Sequence, residues 1–177
     1  MFLYLLLSSV AAGLIATLVM VVFLYLPILW NGDYYDVLGA IGSTLTKEVN
    51  GRSRFLGGII YFLGGILMAL LYGWLVLSLF QVDADTLPRL IILPSFPVEI
   101  NLLYPLLGLA IGLGHGVFIG LLTTIMVEHH PIPRFRTRYI LIISQLISHV
   151  AFGAAVMFFQ SQFLQLLLGQ TLTGMRG

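Results

Sequence analysis

This chain has 177 residues, of which 59% are hydrophobic and only 8% charged, with a mean hydropathy of +1.05. Each bilayer crossing needs about 20 apolar residues, so the chain can cross several times but has no length for a separate water-soluble domain. The net charge of +1 argues against nucleic acid as a partner, and the absence of cysteine excludes disulfides, thiolate metal sites and thiol nucleophiles. We therefore expect a single transmembrane domain, residues 1–177, surrounded by membrane lipids.

Four hydrophobic segments are long enough to cross a bilayer with some tilt. The first has no positive residue before its apolar run and exceeds the core of a signal peptide, so we expect a retained helix. The pattern predicts an all-α polytopic membrane protein with four transmembrane helices at about residues 2–29, 55–80, 102–127 and 139–167.

Between the first two segments, the sequence predicts a short interfacial helix at about residues 33–48. Asp33 is the expected N-cap, and basic residues follow the helix. One side of this helix is apolar, as is typical of a helix lying in the membrane interface. The apolar positions are Tyr34, Val37, Leu38, Ile41 and Leu45.

The connection at residues 81–101 contains three prolines and two aspartates around a short apolar run. Proline removes a backbone donor and breaks helices, so this external loop cannot be one continuous helix. It is also too short to cross the membrane. We expect a structured cap or a shallow re-entrant loop.

The lysines and arginines are divided six to two between the two sides of the predicted topology. Cytoplasmic loops carry an excess of these residues, so we expect both termini to be non-cytoplasmic. The larger group is Lys47, Arg52, Arg54, Arg134, Arg136 and Arg138, and the smaller group is Arg89 and Arg176.

Glycines recur at four-residue spacing and predict faces where helices approach closely, because a face without side chains lets two backbones come together. The spacing alone does not say whether the neighbour belongs to this chain or to another subunit. The predicted helix-packing residues are Gly13, Gly57, Gly65, Gly73, Gly108, Gly112, Gly116, Gly120 and Gly153.

Short matches between the two halves indicate two repeated helical hairpins, with chance resemblance as the alternative. ATLVM at 16–20 and LTTIM at 122–126 precede Pro27 and Pro133 at the same offset. In the second and fourth segments, Tyr61 and His149 are each followed four residues later by a glycine, Gly65 and Gly153.

Four stretches of the chain, AAGLIATLVM, DVLGAIG, LGGIIYFLGGILMALLYGWL and SHVAFGAAV, resemble an uncharacterised family of small four-helix bacterial membrane proteins. The resemblance implies the four-helix fold and a bacterial cytoplasmic membrane, and it implies no activity. A histidine commonly stands in that family where this chain has Tyr61.

Two histidines are expected near the bilayer midplane. Counting 1.5 Å per residue, His115 lies about 18 Å from the ends of its segment and His149 about 15 Å from the cytoplasmic end of its own. In the simpler interpretation each neutral imidazole hydrogen-bonds a neighbouring helix. The partners considered for these bonds are Ser144, Ser148, Thr17 and Tyr61.

The alternative interpretation is that His115 and His149 ligate one b-type haem or chlorin, with Gly112, Gly114 and Gly116 clearing space for the macrocycle. We otherwise expect no cofactor. Glu128, His129 and His130 form the densest group of potential metal ligands, but consecutive helical residues point about 100° apart, so we expect no metal site.

No segment carries Asp, Glu, Lys or Arg, which argues against a pump or coupled transporter. No nucleophile and base are assembled, so we expect no enzymatic activity. The leading hypothesis is a non-catalytic accessory subunit of a larger membrane complex, respiratory or photosynthetic, with other integral membrane subunits as partners. The alternatives are a haem- or pigment-binding electron-transfer or quinone-site subunit, and a small carrier or channel for a neutral or lipophilic solute.

Overall fold

The computed structural model describes residues 2–30, 32, 34–81, 92–94, 99–136 and 139–174. Four of its helices are long and apolar enough to cross a membrane, which confirms the all-α, four-span prediction. The helices are α1 (Phe2–Tyr25, continued by a 3-10 turn at Leu26–Trp30), the short α2 (Val37–Thr46), α3 (Gly51–Gln81), α4 (Leu103–Glu128) and α5 (Tyr139–Gly174).

The described parts of the connection between α3 and α4 are extended rather than helical. Strand β1 (Ile92–Pro94) pairs antiparallel with β2 (Glu99–Asn101), with Leu93 opposite Ile100. Pro94 is therefore the last residue of the short strand β1. The aspartates of this connection lie outside the described residues.

The spanning helices are arranged with α1 and α5 side by side at the centre. Helix α3 packs on the outer side of α1, α4 packs along α5, and α3 and α4 make little contact with each other. Ala12 and Ala16 of α1 and Ala69 of α3 are fully buried, as expected where small residues let membrane helices approach closely. A cleft is left between α3 and α4, with α1 and α5 at its base.

Helix α2 begins later than the sequence suggested, and its cap is Asp36 rather than Asp33. The Asp36 carboxylate accepts hydrogen bonds from the Gly39 amide (2.9 Å), the Tyr25 hydroxyl (2.8 Å) and the Arg54 guanidinium (2.9 Å). Both aspartates precede the apolar run, and only the one within reach of the first-turn amides can cap. Asp33 lies outside the described residues.

The buried residues of α2 are Val37 and four small ones, Gly39, Ala40, Gly42 and Ser43, whereas the larger apolar residues are only partly buried or exposed. A Cβ on Gly42 would overlap the Ser53 carbonyl, and one on Gly57 would overlap the Leu38 carbonyl, so α2 lies directly on the first turns of α3. Ile41 and Leu45 are not part of this contact face, and they line the cavities described below.

Candidate functional site

The four glycines of α4 form the face on which α5 packs. All four are buried, and a Cβ on Gly108 would overlap the Gly153 carbonyl. A Cβ on Gly112 would lie 2.5 Å from the His149 carbonyl oxygen, whereas one on Gly120 would find its nearest neighbour 3.9 Å away, at Ile142. The approach is therefore closest at the level of Gly108 and Gly112 and loosens toward Gly120.

The remaining packing glycines also lie against helices of the same chain. Gly13 meets Ala69 of α3, Gly65 meets Thr17 of α1, and Gly73 meets Ser9 and Gln160. None of the nine glycine positions singled out from the sequence is left for another subunit. Their close packing brings the two histidines together.

His115 and His149 are in edge-to-face contact, with ring centroids 4.8 Å apart and planes at 87°. The Nδ1 of His149 is 2.7 Å from the Gln145 carbonyl oxygen, which can only accept, so Nδ1 carries the proton. In the neutral ring, Nε2 is then an acceptor. His115 approaches the Tyr72 hydroxyl at 3.5 Å through Nδ1.

The hydrogen-bond partners considered from the sequence are not the ones observed. The Thr17 hydroxyl donates to the Gly13 carbonyl and the Ser148 hydroxyl to the carbonyls of Ser144 and Gln145, each within its own helix. A carbonyl one turn earlier in the same helix is always within reach of such side chains, so it competes successfully with other helices. Ser148 and His149 therefore form no nucleophile–base pair.

A cavity of about 190 Å³, here called the lateral cavity, lies in the cleft beside the histidines. Two lining residues, Ile60 and Gly64, are exposed on the outer surface of α3, so the cavity opens sideways toward the bilayer. A Cβ on Gly64 would meet nothing within 4 Å. The lining residues are Met20, Ile41, Ile60, Tyr61, Gly64, Gly65, Met68, His115, Ile119, His149 and Phe152.

Two polar groups on the lateral cavity have no hydrogen-bond partner among the described residues. The Tyr61 hydroxyl is buried and unpartnered, and Nε2 of His149 makes no hydrogen bond. Tyr61 and His149 are the two residues that the internal repeat places in equivalent positions. Unmatched polar groups within membrane-spanning helices are costly, and the cavity beside this pair is therefore a candidate binding site.

A second cavity, the interfacial cavity, continues from the first toward α2. It measures about 270 Å³ and shares Ile41 and Ile60 with the lateral cavity. Hydrophobic side chains and two threonines, Thr44 and Thr123, make up most of its lining, and neither cavity is lined by Asp, Glu, Lys or Arg. The two cavities are therefore adjacent, and His129 and His130 line the second of them.

Glu128 is the last residue of α4, and His129 and His130 follow it outside the helix. Glu128 and His129 are exposed, whereas His130 is buried. The Nδ1 of His130 accepts a hydrogen bond from the Ile132 amide (3.0 Å), and its Nε2 donates one to the Ala40 carbonyl (2.9 Å). His130 thus ties the end of α4 to α2. The part of the chain that the structure describes contains no group of three candidate metal ligands.

Ligation of a haem or chlorin by both histidines does not fit this arrangement. A macrocycle held by His115 and His149 must lie between their rings, which are already in contact. Gly112 and Gly116 do not clear space, because α5 fills it, and Gly114 faces outward.

No family model, curated protein or solved structure matches this chain. The family resemblance seen in the sequence therefore stays an expectation, and the site must be interpreted from its own chemistry.

Two features of the interior were missed by the sequence patterns. Tyr61 interrupts the series of glycines that recur at four-residue spacing in α3. This interruption is the sequence feature that could have identified Tyr61 as part of the site. Gln145, Gln160 and Gln162 of α5 are buried inside the protein rather than exposed on a polar face of that helix. The Gln160 amide donates to the Ser9 hydroxyl at 2.6 Å and joins α5 to α1.

Proposed function

We propose that this protein is a non-catalytic integral membrane protein that binds a lipophilic small molecule in the cleft between α3 and α4. The observation that carries the proposal is the lateral cavity, an apolar space in which Tyr61 and His149 present unpartnered polar groups. Apolar cavities with a few convergent polar groups are the usual form of small-molecule sites. A bacterial cytoplasmic membrane is the proposed location.

The ligand enters from the bilayer rather than from water. Ile60 and Gly64 form an open edge on α3, and α3 and α4 make little contact along the cleft apart from that between Tyr72 and His115. A lipophilic molecule dissolved in the hydrocarbon can therefore reach the histidines without passing through an aqueous phase. This role agrees with the lack of Asp, Glu, Lys and Arg within the four apolar segments.

A role as accessory subunit of a larger membrane complex stays a prediction. The glycine faces do not support it, because they pack within the chain. A partner subunit would have to contact the large exposed side chains of α3, among them Leu63, Leu67, Leu71 and Trp74. Such side chains serve equally as lipid-facing surface.

The test is extraction of the protein purified in mild detergent, followed by mass spectrometry against an empty-micelle control. We expect a neutral lipophile enriched in the wild type and at least tenfold reduced in Gly64→Leu, whose side chain would occupy the cavity edge. Gly58→Leu is the matched control, because Gly58 also faces open space on α3 but lies off the cavity.

Two results would contradict the proposal. One is the absence of any enriched lipophile, or equal loss in both leucine variants while both remain folded by size-exclusion chromatography. The other is a Soret band in the absorption spectrum of the purified protein, which would indicate a haem.

A further inference from the structure

We propose that the ligand of the lateral cavity is a neutral lipid whose head group carries a free hydroxyl. That hydroxyl donates to Nε2 of His149 and accepts from the hydroxyl of Tyr61. The inference rests on the proposed function and names the chemical class of its ligand.

The hydrogen-bond state of His149 sets the first requirement. Because Nδ1 donates to the Gln145 carbonyl at 2.7 Å, the neutral imidazole offers only a lone pair at Nε2. The group that matches it must donate a hydrogen. A carbonyl or ether oxygen has none to offer.

Tyr61 sets the second requirement. Its hydroxyl is buried without a partner and can donate to an oxygen of the ligand. A single alcohol or phenol hydroxyl meets both requirements, since it has one hydrogen to donate and two lone pairs to accept. A ligand that only accepts would satisfy Tyr61 and leave His149 unmatched.

The absence of charged side chains around the two cavities sets the third requirement. Among the residues lining both cavities there is no Asp, Glu, Lys or Arg, so a phosphate, carboxylate or ammonium head would be buried without a counter-ion. The head group must therefore be neutral. Its apolar chain has space in the interfacial cavity, reached past Ile41 and Ile60.

A prenyl alcohol and a reduced quinone both carry this chemistry. The experiment compares farnesol with its methyl ether and with the parent hydrocarbon, each titrated into the detergent-purified full chain and followed by native mass spectrometry. We expect the wild type to bind farnesol about tenfold more tightly than the ether, since the ether leaves a buried acceptor unmatched. The hydrocarbon should bind most weakly.

Variants assign the two contacts. Tyr61→Phe should weaken binding of farnesol and of the ether by similar factors and leave the hydrocarbon unchanged. His149→Leu should bring the ratio of ether to alcohol affinity to about one. Tyr104→Phe is the control, because Tyr104 is a buried tyrosine on α4 that lines neither cavity, and it should preserve the order of the three ligands.

The outcomes separate this inference from the proposed function. If none of the three ligands binds, and a decyl hydroquinone and its quinone also fail, the proposed function is wrong. If the ether binds as tightly as farnesol, and the quinone as tightly as its hydroquinone, the site binds lipophiles but the hydroxyl requirement is wrong. Tighter binding of hydroquinone than of farnesol supports the inference with a reduced quinone as ligand, and the reverse supports a prenyl alcohol.

Discussion

Among single residues, Asp36 connects the largest number of separate elements. Its carboxylate caps α2, accepts the Tyr25 hydroxyl at the end of α1, and pairs with Arg54 at the start of α3. Burial by itself would raise the pKa of this carboxyl, but the bonds from Arg54, Gly39 and Tyr25 outweigh it and hold the pKa below its ordinary value of 3.8. The charged form is therefore favoured in the folded protein.

A pH-dependent contribution to stability follows from this lowered pKa. The contribution is fully present above the unfolded pKa, near pH 4, and is lost as the pH falls through the lower folded pKa. We expect Asp36→Asn, which keeps an N-cap side chain, to cost about 1 kcal/mol at pH 7, a modest value because Arg54 is exposed. Thermal unfolding in detergent at pH 7 and at pH 3 measures the stability of the wild type and of the variant at each pH.

The difference in stability between the wild type and Asp36→Asn should be smaller at the acidic pH than at pH 7. A difference that is the same at both values would mean that the carboxylate is not the source. Asp36→Ala provides the comparison for the cap itself and should be the less stable variant at either pH, since removing an N-cap costs about 0.5–2 kcal/mol.

The histidines show how far single residues could be anticipated. Counting residues along each helix placed His115 and His149 at similar depths, and they are in contact. Their hydrogen-bond partners could not be anticipated, because the side-chain rotamer determines whether an imidazole reaches a carbonyl of its own helix or a hydroxyl of another helix. The role of Tyr61 depends on the separation of α3 from α4, which no local pattern encodes.

At the scale of elements, the α4–α5 interface has a gradient of closeness. A Cβ added to Gly112 would meet backbone atoms of α5, one added to Gly116 would lie 3.0 Å from the His149 Cβ, and one added to Gly120 would lie 3.9 Å from Ile142. Backbone cannot move aside as a flexible side chain can. The row is therefore sensitive to substitution at one end and tolerant at the other.

Alanine substitutions along this row should have graded effects. We expect Gly112→Ala to destabilise the protein by about 1–3 kcal/mol through overpacking. Gly116→Ala should be intermediate, and Gly120→Ala should be neutral or stabilising by about 0.5–1 kcal/mol from improved helix propensity. Gly114→Ala is the control, because Gly114 is exposed with no atom near it. Thermal unfolding of the four purified variants is the measurement.

Equal effects of Gly112→Ala and Gly114→Ala would show that α4 does not pack on α5 through this row. The sequence had left open a neighbour in another subunit, or in the first or second segment. The observed neighbour is instead the fourth segment, adjacent in the chain.

Helix bounds were largely predictable because hydropathy sets where a chain can stay in hydrocarbon. The caps and contact face of α2 were not, because the amphipathic pattern there was interpreted as membrane contact alone. In the structure Gly42 of α2 lies on α3, and that contact uses the residues without side chains. The positions of large apolar residues therefore do not predict a contact face that is made of glycines.

At the scale of the whole molecule, the first and third loops meet at one end of the bundle. The Tyr35 hydroxyl donates to the Phe135 carbonyl at 2.7 Å, and His130 bonds to Ala40. This agrees with four crossings, in which these loops lie on one side. The excess of lysine and arginine in the same loops predicts that this side is cytoplasmic.

An enzyme reporter fused after Gly177 checks that orientation. Alkaline phosphatase is active only outside the cytoplasm, so we expect activity from that fusion in a bacterial host. A fusion within the first loop, after Asn50, should be inactive. The reversed pattern would invert the proposed topology.

The number of spans and the single domain could be derived from composition and length, whereas the order of the helices could not. Small-residue faces occur on all four spanning helices, so many pairings are compatible with the sequence. The observed order, with α1 and α5 at the centre, depends on which faces fit most closely, as at Gly108 and Gly153.

That order has a consequence for how the protein is made. Ser9 of α1 finds its partner in Gln160 of α5, 151 residues later in the chain. During synthesis the first helix enters the bilayer long before the last one exists, so its inner face must wait among lipids or insertion factors. Final assembly therefore waits until α5 has been translated, and a chain that stops before α5 would leave the Ser9 hydroxyl without the amide that it accepts from.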